Sequence, residues 1–250
     1  MLSLPEQPAR TSICDIVVVG GSAGGIQALI SLLNALPADF PLPILVVQHL
    51  SRETPSRLPE ILQWRTKWVA KWAEDGEPIR RGVVYVGPAD RHLLLGPDRR
   101  LALSSTPPFR WWRPAVDALF QSAAEIYGER VVAVVLSGAM WDGARGISAI
   151  ASRGGITIVQ DEATSEHFDM PASAIDLGRA DLVMSPIKIA AALQTLAEPS
   201  FLSTCPVLAS SQFTADLTDR LATPELLLEG RVRKPASQAW DDPGKPVQPR

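Results

Sequence analysis

Residues Asp15–Leu29 read DIVVVGGSAGGIQAL. The β-branched run Ile16 to Val19 has no polar face, as in a parallel-sheet strand covered on both sides. Four glycines around a single serine end that run, and an apolar helix-like stretch, Ile26 to Leu36, follows. Strand, tight turn and helix in this order put the Ser22 hydroxyl at the carboxyl end of a sheet, beside the amides of a helix N-terminus. That is where α/β proteins place their chemistry. Gly20-Gly21-Ser22-Ala23-Gly24 also satisfies the G-x-S-x-G pattern of a nucleophile elbow. The segment alone leaves three readings open: a serine nucleophile, a phosphate cradle, or a plain turn whose glycines only let the helix pack close.

The rest of the chain fits a globular α/β protein. Its 250 residues allow one large domain or two small ones, and 46% hydrophobic residues are ample for a core. A net charge of −3 argues against nonspecific binding to nucleic acid or anionic membrane. Cys14 and Cys205 lie far apart and suggest neither a disulfide framework nor a metal site, which fits a reducing cytoplasm. Pro5, Glu6 and Pro8 interrupt the N-terminus where a signal peptide needs a continuous apolar core, and the glycines and Gln27 within Ile16 to Leu36 argue against membrane insertion.

Working outward from the glycine turn, a second buried strand, Pro43 to Val47, ends in Gln48-His49, and a loop with a helix runs from Ser51 to about Arg65. Trp64, Trp68 and Trp72 recur at every fourth residue. A strand over Trp68 to Ala73, closed by Glu74-Asp75-Gly76, is the preferred reading, with the tryptophans in the core. Gly82 to Val86, His92 to Leu95 and Arg100 to Leu103 read as short strands of a small antiparallel excursion. Ala115 to Tyr127 is an amphipathic helix, and Val131 to Leu136 a third strongly buried strand, with Ser137 to Gly143 as its loop. A helix at Ala144 to Ser152, a strand at Ile156 to Gln160, and helices at Pro171 to Leu177 and Ile187 to Leu196 complete the compact part. This alternation predicts a doubly wound, mostly parallel sheet with helices on both faces. Residues 1–12 read as a tail, 13–197 as the domain, and 198–250, with seven prolines, as a partly disordered extension. Within that extension, Phe213 to Leu221 and Glu225 to Leu228 are candidate short helices.

Three strand ends carry complementary groups: Ser22 after the first, His49 after the second, and Asp142 after the third strong one. A serine hydroxyl needs a base to take its proton, and a neutral imidazole needs a carboxylate to fix its tautomer. Singly, His49 also reads as a half-buried strand-edge residue and Asp142 as a turn or cap residue. His92 and His167, in polar loops, are competing bases.

Six blocks of the chain resemble the bacterial chemotaxis protein-glutamate methylesterases, the CheB family. They are the glycine turn around Ser22; Val47-Gln48-His49; Glu74-Asp75-Gly76 with Tyr85 to His92; Arg113 to Phe120; Leu136-Ser137-Gly138 through Asp142-Gly143-Ala144; and Gln160 to Ala163 through Met170-Pro171. The resemblance covers about Asp15 to Leu196 in the family's order and spacing. It implies Ser22 as nucleophile, His49 as base and Asp142 as its orienting carboxylate. It further implies hydrolysis of glutamate γ-methyl esters on a chemoreceptor or other methylated protein, with glutamine deamidation in some members, and no cofactor or metal. The oligomeric state stays open. Amides near Gly24-Gly25 or in the Gly138 to Met140 loop would hold the oxyanion.

The chain departs from the family's pattern at several places. Only about a dozen residues precede the first strand, too few for the receiver domain the family usually carries, so a stand-alone form without control by phosphorylation within the chain is expected. The loop before Asp142 reads Ala139-Met140-Trp141 in place of the usual Gly-Met-Gly, and Trp141 is expected to narrow the entrance or change the ester preferred. Ala23 replaces a commonly hydroxylated residue, and Trp111-Trp112 a more polar segment. Two other classes compete with the esterase. One is a non-catalytic relative acting as a binding or scaffolding module. The other is a dinucleotide-binding oxidoreductase, disfavoured because G-x-G-x-x-G spacing is absent and Gln48-His49 stands where a ribose-binding acid belongs.

Overall fold

A computed structural model describes residues 12–51, 53–108, 111–177 and 179–198. Strand β1 (Ile16–Gly21) runs through the glycine turn into α1 (Gly25–Ala35), followed by β2 (Ile44–Gln48), α2 (Leu58–Arg65), β3 (Val69–Trp72) and β4 (Val83–Val86). Next come the short strands β5 (His92–Leu95) and β6 (Leu101–Ser104), helix α3 (Val116–Tyr127), β7 (Val131–Val135) and α4 (Ala144–Ser152). The chain continues with β8 (Ile156–Gln160), α5 (Asp169–Asp176), β9 (Leu182–Met184) and α6 (Pro186–Ala197). Among the described residues no helix is long and apolar enough to cross a membrane.

The main sheet has the order β3-β4-β2-β1-β7-β8-β9, and every neighbouring pair is parallel. β1 is central because both its faces are apolar. Val17 and Val19 pack into the core with α1 and α6, and Ile16 and Val18 into the opposite core with α3 and α4. All four side chains are essentially fully buried, each contributing about 1.5–3 kcal/mol by leaving water. After β1 the chain crosses to β2 on one side and later to β7 on the other, so the strand order reverses at β1. In a doubly wound sheet the crevice at that reversal, outside the carboxyl ends, is the ligand site.

The expected fold class is the observed one, with three differences in detail. β4 does not join the antiparallel excursion. It lies in the main sheet between β3 and β2, parallel to both, and only β5 and β6 form the two-stranded antiparallel ladder. Trp68 is buried and donates its indole N–H to the Leu33 carbonyl, but Trp64 is 91% exposed on α2. The edge strand β9 was not anticipated; it is three residues long and half-exposed, so it has no apolar run to betray it. The short helices and disorder expected beyond residue 198 lie outside the described residues.

Candidate active site

The site forms at the ends of β2, β1 and β7, which are adjacent in the sheet. At the β1 turn, Gly24 takes a φ of 74°, the left-handed conformation that glycine adopts without steric cost and that starts α1 one residue later. The Ser22 backbone is held on both sides: its N–H donates to the Ser137 carbonyl (3.0 Å), and its carbonyl accepts from Gly25 N–H (2.9 Å) and Gln48 Nε2 (2.6 Å). Only the hydroxyl is left to face the crevice. It meets His49 Nδ1 at 3.0 Å, and His49 Nε2 lies 2.7 Å from Asp142 Oδ2. The structure therefore brings all three residues singled out from the sequence into one chain of hydrogen bonds.

The direction of the ring sets its tautomer. Asp142 accepts a hydrogen bond from Nε2–H, so neutral His49 carries its proton there and presents the Nδ1 lone pair to the serine. This reverses the chymotrypsin-like arrangement, where Nε2 faces the serine. The His49 and Asp142 side chains are 3% and 4% exposed, so their hydrogen bond is shielded from water and salt.

Asp142 does more than hold a ring. Its Oδ2 also accepts from Val116 N–H (2.7 Å) and its Oδ1 from Asp117 N–H (3.0 Å), so the carboxylate sits on the first turn of α3, at the positive end of that helix. The relation is reciprocal. Asp117, in that same turn, accepts on Oδ1 from Gly143 N–H (3.0 Å) and Gly146 N–H (2.7 Å) at the start of α4, the helix that follows Asp142. Each of two aspartates caps the helix that the other belongs to or precedes, which locks α3 and the Asp142 loop together.

Burial, and then the negative Asp142, pushes the Asp117 carboxyl up from 3.8 to about 6, against the pull of the Gly146 and Gly143 amides and Arg145. A folded-state value above the unfolded one means that Asp117 favours the fold most below about pH 4. That contribution is lost as pH rises through about 6. Asp117→Asn keeps an acceptor oxygen for both amides and removes the titration. Its stability relative to wild type should rise by about 2 kcal/mol between pH 4 and pH 7, measured by urea unfolding at each pH. A pH-independent difference would contradict the assignment.

Gly138 brings the β7 loop against the serine. A Cβ there would lie 2.9 Å from the Ser22 Cβ and 2.2 Å from the Met170 sulfur. Met170 is flexible enough to yield, but Ser22 is held through its backbone. Gly138→Ala should therefore lower kcat about a hundredfold by displacing the serine, with the far-ultraviolet circular dichroism unchanged. Activity within a few-fold of wild type would show that the loop can move away.

The entrance is aromatic. The Trp112 indole stacks on the His49 ring, with centroids 3.9 Å apart and planes 5° apart. Trp111 and Trp141, 65% and 42% exposed, meet edge to face at 6.3 Å. A cleft of about 370 Å³, lined by Leu50, Ser51, Glu53 and Trp111 to Pro114, opens beside them. Trp141, next to Asp142 in the chain, meets Trp111 but does not line this cleft, and Met140 before it takes a positive φ of 70°.

The competing bases lie elsewhere. His92 begins β5 and is buried, not placed in a polar loop; its Nδ1 accepts from Ala115 N–H (3.3 Å) and its Nε2 lies 3.3 Å from the Pro107 carbonyl. His167 has a half-exposed ring 3.8 Å from Glu166, and its carbonyl accepts from Gly138 N–H. The Cys14 thiol is no rival nucleophile, because burial pushes it up to about 12. Asp117, Gln48 and Trp112 were not singled out as site residues. Asp117 alone left a signal, a carboxylate on the helix stripe that includes Phe120 and Ala124, both buried.

A doubly wound α/β fold with a hydrogen-bonded Ser-His-Asp relay at its switch point defines the class: it is the equipment of a serine hydrolase. Residues 17–193 match the family model for the CheB methylesterase. A protein-glutamate methylesterase/protein-glutamine glutaminase of Anaeromyxobacter dehalogenans is 42% identical over 189 residues, covering 76% of this chain and 55% of that protein. A putative enzyme of the same name from Leptospira interrogans is 39% identical over 176 residues, covering 70% of this chain and 91% of that protein. The crystal structure of the Thermotoga maritima CheB methylesterase catalytic domain superposes with a TM-score of 0.70 at 38% identity, over 73% of this chain and 98% of that one. The chain belongs to the CheB methylesterase family, and it spans a little over half the length of the Anaeromyxobacter relative.

Proposed function

We propose that residues 13–197 form a methylesterase that hydrolyses glutamate γ-methyl esters on a methylated chemoreceptor, or on another methylated protein, in the cytoplasm. The observation that carries this reading is the Ser22–His49–Asp142 relay, with its lone pair aimed at the hydroxyl. Ser22 Oγ attacks the ester carbonyl while its proton passes to His49 Nδ1. The imidazolium, held by Asp142, returns that proton to the methoxy oxygen and methanol leaves. Water then enters, gives a proton to Nδ1 and attacks the acyl-serine. Collapse releases glutamate and restores the Ser22 hydroxyl.

Of the amides considered for the oxyanion, Gly25 N–H is committed to the Ser22 carbonyl, Gly138 N–H to the His167 carbonyl and Met140 N–H to Asp169 Oδ2. This points to the amides of Ala23, Gly24 and Ala139, and one such donor is typically worth about 3 kcal/mol in the transition state. Glutamine deamidation follows the same path with ammonia as the leaving group, and the relatives' names include that activity. The relay and the enzyme names of the relatives count against a purely scaffolding role.

The test is incubation with receptor carrying labelled methyl groups, with volatile methanol measured and ammonia followed in parallel on receptor with unmodified glutamines. Methanol release supports the reading. A folded protein that binds the receptor and releases nothing contradicts it.

A further inference from the structure

We propose that Trp112 is a positioning residue of the relay, holding the His49 ring face-on and stabilising the imidazolium formed during acylation; this rests on the assignment of His49 as the base. His49 has two polar edges and two faces. The edges are occupied by Ser22 and Asp142, with Asp117 behind the latter. One face is covered by the Trp112 indole at 3.9 Å and 5° from parallel. Rotation of the imidazole about its Cβ–Cγ bond would break both edge hydrogen bonds and drive a ring edge into the indole, so the stack restricts the one torsion that aims Nδ1.

The indole is itself fixed by its neighbour. Arg113 Nε and Nη2 bind Asp90 Oδ1 at 3.0 and 2.6 Å, and Nη1 binds the carbonyls of Ser105 and Thr106 at 3.0 and 3.1 Å. The Arg113 carbonyl accepts from Asp90 N–H at 3.1 Å. This strap ties the tryptophan loop to the segments before β5 and after β6.

The electronic effect is directional. Neutral imidazole gains dispersion from the indole face, but the imidazolium also gains a cation–π attraction, for which tryptophan has the best face. An interaction stronger in the transition state than in the ground state raises kcat and leaves KM nearly alone.

The experiment compares Trp112→Phe, Trp112→Leu and Trp112→Ala in the full chain, after thermal unfolding has shown each to be folded. Two rates are read: ester turnover, and inactivation by phenylmethanesulfonyl fluoride. In the second, Ser22 Oγ bonds to sulfur, fluoride leaves and His49 takes the proton, with no receptor involved. The expected result is a kcat roughly 30-fold lower for Ala and for Leu, KM within about threefold, and Phe restored to within about fivefold of wild type, with inactivation rates in the same order. Leucine as good as phenylalanine, a loss carried by KM, or unchanged inactivation in the Ala variant would overturn the proposal. If wild type releases no methanol while inactivation still follows this order, the methylesterase reading fails and the role of Trp112 stands.

Discussion

Ser22→Ala should lower kcat for methyl-ester hydrolysis by at least about 10⁴-fold, in the range found when the nucleophile of a serine-hydrolase triad is removed. The fold should not change, because what holds this residue is its backbone: the N–H to Ser137 and the carbonyl to Gly25 and Gln48 survive the substitution. Only the hydroxyl bond to His49 is lost. The measurement is methanol release alongside the melting temperature. Unchanged turnover in a folded variant would remove Ser22 from the mechanism.

Asp142→Asn should cost about 10⁴-fold in kcat for a different reason. The N–H groups of Val116 and Asp117 both point at this side chain and require acceptors. An asparagine has one acceptor for two positions: with its carbonyl oxygen on Asp117 N–H, its NH₂ takes the Oδ2 position, leaves Val116 N–H unpartnered and faces His49. The ring must then offer Nε2 as acceptor and carry its proton on Nδ1, so that an N–H faces the serine hydroxyl and no base remains. Asp142→Ala should be less stable than Asn, since both buried amides at the start of α3 lose their partner, at about 1–3 kcal/mol each. Kinetics and urea unfolding of both variants separate the two roles. Equal stability of the Ala variant and wild type would contradict the capping role.

How far the sequence could be read follows from where the information lies. β1, β2 and β7 were legible because a doubly covered parallel strand must be apolar throughout, and residues leaving the carboxyl ends of neighbouring parallel strands can converge in one crevice. That was enough to bring Ser22, His49 and Asp142 together. Partners from distant elements were not legible. Asp117 shows only as a carboxylate on a buried helix stripe; its partners, the amides at the start of α4, do not. Trp112 reads as a surface departure until it is found on the imidazole face. β4 was misplaced because a short strand among turns looks the same in a hairpin as in a main sheet; only its pairing with β2 and β3 decides. Trp64, Trp68 and Trp72 were all read as core, but Trp64 sits on α2 ahead of the expected strand and stands in solvent.

The central claim is that Ser22 carries the acyl group of the substrate. Turnover of a methylated receptor peptide, quenched in acid during the first cycle and mapped by mass spectrometry, tests it most directly. The account predicts the peptide's glutamyl group on the fragment containing Ser22, appearing with one equivalent of methanol and absent from Ser22→Ala. Methanol release at the wild-type rate from Ser22→Ala, or an adduct on another residue, would contradict it.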